Sequence, residues 1–592
     1  MSIYIFVSTS SDYHVFSKNI PAAKEFGIEV CTFYLSQFDS IEGKLSSGDI
    51  LVTRNLGGLS FNKEALGKMN QISHAKNLPF ICLPGYKNDD PSILSLSTAP
   101  VPVCQKMYSY YEACHSDHII ESLKYLSDLY CGTSLGWKEP EPFDEFGFLP
   151  DYVDQEYIKQ AKKDNKKIIA VLLYRTHYLA DDIQPIKQLI TEIESTGSVV
   201  MPLYCSMMKQ PQDEIHPVEK YLLGGNGETL PHVIIDCLSY ATVDVSTTGN
   251  VTQGEDDLRG LFARMNVPVL HALYCSESES QWRNNKKGMS PRDMGMKVVL
   301  PEFDGKIVAH PIAFVEESVL NGQPISQYEG NRERIISLVG LANRFAALAL
   351  KDNKDKKVSI ILTNYPTQNA RIGNAVGLDT PASLICILKE LKEQGYKVDS
   401  IPENGDDLIH SLIDQISYDT EFLTEDQKRL APAQVPQESY KGWYEKFPDK
   451  SKKEMLKDWG EPPGNVYLHE EKLYLPGIFF GNVFVGIQPP RGFGENPVAI
   501  YHSPDIVPTH HYLAFYRWLK EDFKTDAVIH LGKHGNLEWL PGKPLLSLIL
   551  VIQTWRLQIY PSFTISSSTI RAKARRQNGE HILFWWTIWY LL

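Results

Sequence analysis

Short apolar runs that end in polar, glycine- or asparagine-rich turns recur along this chain, and they leave few folds open. IYIFVS, GDILVTRNLGG, LPFICLP, KKIIAVLLYR, SVVMPLY, PHVIIDCLS, VPVLHALY, SIILTNYP, GNVFVGIQPP and DAVIHL each read as a buried strand. Between several of them lie segments with apolar residues at helical spacing, such as GNRERIISLVGLANRFAALAL and TPASLICILKELKEQG. Strands alternating with helices build βαβ units. The expected fold class is therefore α/β and multidomain: several mostly parallel sheets flanked by helices, with a charged helical insertion. In such sheets ligands sit at the carboxyl ends of the strands, so the polar turns are where function is sought. One stretch, MKVVLPEFDGKIVAHPIAF, reads as a strand, a turn and another strand.

At 592 residues the chain exceeds what one core supports. The expected organisation is an N-terminal α/β domain over 1–138 and a proline- and acid-rich linker over 139–155. A second α/β domain covers 156–350, and a third region begins at 351–402. A charged, solvated helical connector follows over 403–460, then the rest of the third region over 461–543. The tail, 544–592, mixes a serine run, a basic patch and an aromatic cluster, and reads as an aberrant end.

The net charge of −13 argues against nucleic acid as the main partner. Nine cysteines are scattered without a CxxC pair, which fits reduced thiols in a cytoplasmic protein better than a zinc cluster or a disulfide framework. The N-terminus lacks the basic and apolar regions of a signal peptide, and no apolar run is long enough for a membrane span. Gly-Lys occurs at Lys44, Lys68, Lys306, Lys533 and Lys543, never in the setting of a P-loop. An activity that needs ATP would depend on another polypeptide to hydrolyse it.

Several turns carry candidate ligand-binding side chains. Gly57–Gly58 is either a ligand-facing or a simple tight turn. Arg175, His177 and Tyr178 follow KKIIAVLLY, where they either meet a ligand or bond the loop. TQNARIGNAVGLD carries Asn364 just before it, then Asn369, Arg371, Asn374 and Asp379. It precedes a helix expected to be capped by Thr380, with Pro381 in its first turn and Gly395 ending it. A helix N-terminus favours anionic groups; the alternative is a loop that bonds only to itself. Arg491 follows Pro489 and Pro490, held out stiffly either for a carboxylate or for a structural ion pair.

The densest signal lies between 502 and 543. Five of the 17 histidines are His502, His510, His511, His530 and His534. In DAVIHLGKHGNLEWLPGK, His530, His534 and Glu538 recur at intervals of four, although Gly532 and Gly535 argue for a strand and turn over one continuous helix. Neutral imidazole and carboxylate bind divalent metals or move protons near neutral pH. HxxxHxxxE is not a standard zinc signature, so a histidine network that orders a loop stays open beside the metal or base site.

ILTNYPTQNARIGNAVGLDTPASL, GNVFVGIQPPRGFG, YHSPDIVPTHHYLAFYRWL and DAVIHLGKHGNLEWLPGK together resemble the family of cobaltochelatase large subunits (CobN) and magnesium chelatase H subunits, on the cobalt branch. AVLLYRTHYLADDIQPI and LPEFDGKI fit the same family, and the resemblance runs from about residue 150 to 543. It implies a tetrapyrrole- and metal-binding subunit for ATP-dependent insertion of Co2+ into a hydrogenobyrinic acid diamide in cobalamin synthesis. Co2+ would be the substrate metal, and Mg-ATP would be hydrolysed on separate AAA+ partner subunits. Catalytic roles then fall to His534 and Glu538, and metal contacts to His530, His534 and Glu538. The corrin substrate would meet Arg175, His177, Asn364, Asn369, Arg371, Asn374, Arg491, His502, His510 and His511. The resemblance decays after Lys543, which suggests a truncated or frameshifted product. The competing expectations are a magnesium chelatase H-type subunit acting on a porphyrin, and a non-catalytic macrocycle-binding remnant.

Overall fold

The computed structural model describes residues 2–56, 59–85, 92–113, 115–141, 143–150, 152, 154–206, 217–239, 261–285, 288–302, 304–364, 367–375, 377–492, 506–532 and 562–566. Gly57–Gly58, His502, His534 and Glu538 therefore lie outside the described residues. Among the described residues the architecture is the expected α/β one, with three mainly parallel sheets and a small antiparallel one.

The first sheet holds β1 (Ile3–Val7), β2 (Val30–Tyr34), β3 (Ile50–Asn55) and β4 (Phe80–Pro84). All are parallel, in the order β2-β1-β3-β4. The second sheet has seven strands: β5 (Phe146–Phe148), β6 (Ile168–Tyr174), β7 (Val199–Cys205), β8 (Val233–Asp236), β9 (Val269–Cys275), β10 (Ile307–Leu320) and β11 (Gln323–Gly330). Its order is β11-β10-β9-β8-β6-β7-β5, parallel in the middle with one antiparallel strand at each edge. Thus FGF, inside the stretch expected as a linker, pairs with β7 as an edge strand.

MKVVL departs from the expected strand. Gly295–Val299 is helical, and Ile307–Leu320 alone forms the strand. A five-residue apolar run does not distinguish helix from strand. Here the ion pair of Lys297 with Asp293 one turn earlier, at 3.0 Å, fits helical spacing and decides for the helix.

The third sheet runs β16 (Gly477–Phe480), β17 (Val483–Ile487), β12 (Val358–Leu362), β18 (Ala527–Gly532) and β19 (Ser562–Ser566). β12 lies between β17 and β18 and is parallel to both. β19, from the tail expected to be aberrant, adds a parallel edge to β18. One apolar core continues from the second sheet through the helix Arg332–Leu350 into the third sheet.

The stretch expected as a solvated connector is packed. Ala433, Val435, Tyr440, Tyr444, Phe447 and Met455 enter the core beneath the helix His510–Glu521. β13 (Ala433–Pro436) pairs with β15 (Lys472–Leu475), which also pairs with β14 (Leu468–His469). The charged faces of this region are what the sequence displays, while its buried side chains are spaced widely between them.

Candidate functional site at the carboxyl edge of the third sheet

The parallel strands β17, β12 and β18 end level with one another. Leu362 pairs with Ile487 on one side and with Leu531 on the other, so all three chains leave the sheet along one rim. β12 consists of VSIIL, buried throughout, and delivers Thr363 and Asn364 to that rim. β18 delivers His530, paired with Ile361, and Gly532. Gly532 has φ +148°, and a Cβ there would lie 2.1 Å from Thr363 Oγ1. Only glycine permits this approach of the two strand ends.

The loop after β12 folds back over the rim. Asn364 bridges to Ile372, Gly373 N–H donates to Thr363 O at 2.6 Å, and Asn369 N–H donates to the Asp419 carboxylate at 3.1 Å. The loop therefore bonds both to itself and to the insertion. Asn364 is buried, Asn369 half-buried, and Arg371 and Asn374 are exposed. The next helix, Thr380–Glu393, is capped by Asp379 and not by Thr380: the Asp379 carboxylate accepts from Ala382 N–H at 3.0 Å. Asp379 has the extended backbone of a capping residue, and Thr380 already belongs to the buried first turn. The chain's own carboxylate thus fills the end where an anionic ligand group was expected. Gly395, at φ +83°, does end this helix.

Arg491 is a further correction. It does not project from Pro489–Pro490 but is 2% exposed, and its guanidinium donates to Ile506 O at 3.1 Å. The segment turns back over the start of the helix His510–Glu521, where Thr509 Oγ1 donates to Pro490 O at 3.5 Å. Thr509 caps this helix through Tyr512 N–H.

The two histidines in the helix's first turn have different surroundings. His510 Nε2 donates to Gly460 O at 2.9 Å, which leaves Nδ1 to accept the Tyr440 hydroxyl proton at 2.8 Å. Both its nitrogens are engaged, and they tie the helix to the insertion. His511 Nε2 donates to Tyr474 O at 2.9 Å, so Nδ1 carries a bare lone pair, and that atom is buried with no hydrogen-bond partner among the described residues. Tyr418 and Tyr467 pack edge-on against its ring at centroid distances of 5.3 and 4.8 Å.

His530 is 2% exposed, and its Nε2 is likewise without a partner among the described residues. Burial pushes both His511 and His530 down to about 4, so each imidazole is neutral at pH 7. The side-chain oxygens Asn364 Oδ1 and Asn369 Oδ1 are buried and unpartnered in the same sense. Buried polar atoms are ordinarily satisfied. Here four are left open, an imidazole nitrogen on β18, another in the first turn of the helix His510–Glu521, and two amide oxygens at the end of β12 and on the loop after it. Such a set can take a divalent cation or a ligand that presents N–H groups.

Arg175 and His177 are elsewhere, at the end of β6 in the second sheet. Arg175 donates to Asp144 O and Phe143 O, both at 2.9 Å. His177 lies among Tyr174, Tyr274 and Tyr328, with Nδ1 3.6 Å from the Asp182 carboxylate. Of the expected metal triad, only His530 is among the described residues, and among those residues no three His, Cys, Asp or Glu side chains form a metal-binding group.

Two rim residues carry no obvious sequence signal. Gln488 stands at the end of β17, and its amide meets the Tyr516 hydroxyl. The aromatic density of HHYLAFYRWL is the one hint of Tyr516.

The chain is thus an α/β protein with neutral imidazoles and amide oxygens left open at and near the end of a parallel sheet. The CobN/Magnesium Chelatase family model matches residues 108–547, and the chain belongs to that family. It is 36% identical to an uncharacterized protein of Methanocaldococcus jannaschii over 91% of this chain and 45% of that one. It is 32% identical to the aerobic cobaltochelatase subunit CobN of Pseudomonas aeruginosa, over 85% of this chain and 39% of that one. The catalytic subunit of cobaltochelatase from Mycobacterium tuberculosis superposes with a TM-score of 0.74 at 29% identity, covering 95% of this chain and 45% of that one. The chain thus spans less than half the length of these relatives. No helix among the described residues is long and apolar enough to cross a membrane.

Proposed function

We propose that this chain is the tetrapyrrole- and metal-binding part of an ATP-dependent cobaltochelatase, placing Co2+ into a corrin-ring precursor, a hydrogenobyrinic acid diamide. The observation that carries this reading is that neutral, buried nitrogen and oxygen atoms are left unpartnered among the described residues: His530 Nε2 on β18, Asn364 Oδ1 and Asn369 Oδ1 after β12, and His511 Nδ1 on the helix His510–Glu521. Family membership and the likeness to cobaltochelatase subunits support it. Co2+ is the substrate metal. Imidazole suits cobalt, whereas magnesium prefers carboxylate, carbonyl and water oxygens, so the histidines favour the cobalt branch over a magnesium chelatase H-type activity on a porphyrin.

Metal insertion expels ring N–H protons, so the reaction needs a ligand for the incoming ion and a base for the leaving protons. Imidazoles held near 4 keep their lone pairs free at pH 7 but retain protons poorly. His530 and His511 are therefore suited to holding the metal. The base is assigned to His534 and Glu538, which directly follow β18 in sequence. Arg371 and Asn374, exposed on the loop after β12, are positioned to meet the carboxylates and amides around the macrocycle edge. The sequence contains no P-loop, in keeping with ATP hydrolysis on separate AAA+ subunits.

The test is His530→Ala, assayed by calorimetric Co2+ binding and, with corrin substrate and ATPase subunits, by metal insertion. Cobalt affinity should fall at least tenfold, with the helical circular dichroism unchanged. Unaltered cobalt binding and insertion in both His530→Ala and His511→Ala would overturn the reading. Insertion of Mg2+ into a porphyrin, with no reaction on the corrin, would move the assignment to the magnesium branch. Binding of a macrocycle without turnover would leave a non-catalytic remnant.

A further inference from the structure

β12 separates β17 from β18, so Gln488 at the end of β17 and His530 on β18 flank the central strand without touching as neighbours. One side chain reaches both. The Tyr516 hydroxyl lies 3.1 Å from Gln488 Nε2 and 3.2 Å from Gln488 Oε1. The Tyr516 ring lies nearly parallel to the His530 imidazole, with centroids 6.1 Å apart and planes at 25°. All three side chains are at least 96% buried.

We propose that Tyr516, anchored by Gln488, is the positioning residue that fixes the orientation of His530 and shields it from water, a strap thrown over β12 between the two walls of the site. The role rests on His530 acting as a metal contact, as argued above.

Three features make the strap rigid. Tyr512, one turn earlier on the same helix, packs against the Tyr516 ring at 5.1 Å, and Phe515 meets it edge-on at 5.3 Å. Gly486 brings β17 close beneath this helix: a Cβ there would lie 2.9 Å from Phe515 Cζ. The Gln488 amide can both donate to the hydroxyl and accept from it, which fixes the ring's tilt as well as its distance. His530, by contrast, has no hydrogen-bond partner for Nε2 among the described residues. On that side its orientation depends on packing, and the aromatic face over it is Tyr516. A ligand held within a fraction of an ångström needs this kind of support from a neighbour that does not itself bind.

The test reads His530 directly. Ethoxyformylation by diethyl pyrocarbonate is followed by mass spectrometry in the full chain, with His510 and His511 as internal controls. His530 should be protected in the wild type. Tyr516→Phe and Gln488→Leu should each raise its labelling rate about fivefold. The double variant should exceed neither single by much, because the two substitutions cut one link. Tyr516→Leu, which removes the ring, should raise the rate further, and His511 should stay protected throughout. Cobalt affinity should fall in parallel by about tenfold in Tyr516→Phe, at an unchanged melting temperature.

Labelling of His530 at the wild-type rate in both Tyr516→Phe and Tyr516→Leu would overturn the strap. So would a uniform rise at all three histidines, which would report general loosening. The two readings fail separately. If Tyr516→Phe exposes His530 while His530→Ala leaves cobalt binding intact, positioning stands and the functional assignment falls. If His530→Ala loses cobalt while Tyr516→Phe leaves His530 protected, the assignment stands and the strap falls.

Discussion

The second and third sheets each bury a polar cluster, and the two differ in chemistry. In the second, Asp236 on β8 and His271 on β9 meet Lys306 and Asp304, which precede β10: Lys306 Nζ lies 2.9 Å from Asp236 and 3.2 Å from Asp304, and His271 Nδ1 lies 3.4 Å from Asp236. Burial pushes the Asp236 carboxyl up, but Lys306 and His271 outweigh it and hold the group below its ordinary value. At the third edge the histidine and asparagine atoms are buried and left without such partners among the described residues. The second cluster sets charge against charge, although its His271 Nε2 is itself without a hydrogen-bond partner among the described residues, whereas the third edge holds neutral acceptors left open at a cost the rest of the fold must carry.

The strongest way to break this contrast is Lys306→Met. It leaves Asp236 and Asp304 buried without their cation, and unpaired buried charge costs roughly 3–5 kcal/mol. Urea unfolding should show a loss of that size. A loss under about 1 kcal/mol would mean that water or another group satisfies Asp236, and the cluster would no longer count as a charge-balanced brace.

Much of this contrast was open to sequence reading at the level of elements and little of it at the level of contacts. Strands such as IIAVLLY, VLHALYC and VSIIL are long, β-branched and apolar, so their identity survives any packing. The clustering of histidines pointed to the third sheet. What the chain order hides is that β12 inserts between two strands that follow it by more than a hundred residues, so no spacing rule joins Gln488 to Tyr516 and His530. Arg491 turns inward for a related reason. Two prolines stiffen a segment, but only the packed helix beneath decides which way it turns. Asp379 displaced Thr380 as a cap because either residue type suits the position, and the register of the turn chooses between them.

Acid titration distinguishes the two clusters. His511 and His530 are depressed from the ordinary 6.5 to about 4, so the unfolded chain takes up their protons first. Their stabilisation is complete above the unfolded value and is lost as pH falls from 6.5 towards 4. Each should account for about 2 kcal/mol between pH 7 and pH 5. Asp236 is depressed below the carboxylate range, so its contribution is lost only below about pH 4. His232 and His310, held at about 4 and 3, add to the upper window. His511→Asn keeps an N–H for Tyr474 O but does not titrate. Its unfolding free energy should fall less than the wild type's between pH 7 and pH 5, by about 2 kcal/mol. Equal slopes for the two proteins would show His511 to be hydrated and its packing against Tyr418 and Tyr467 open to water.

The smallest effect tests whether the two edges share a ligand. Arg175 was a candidate for the carboxylates of the macrocycle, yet its guanidinium is committed to Asp144 O and Phe143 O and stacks over the Phe143 ring at 5.3 Å. These bonds hold the stretch before β5 against the end of β6. Arg175→Met keeps much of the side chain's bulk and removes the donors. Stability should drop by about 1 kcal/mol, the net worth of a partly exposed hydrogen-bonded contact. Macrocycle affinity, followed by absorbance titration, should stay within twofold of the wild type. A tenfold loss of macrocycle binding at unchanged stability would mean that Arg175 gives up the carbonyls to meet a carboxylate. The ligand would then reach from the third sheet to the carboxyl end of the second, and Arg175 would be part of the site.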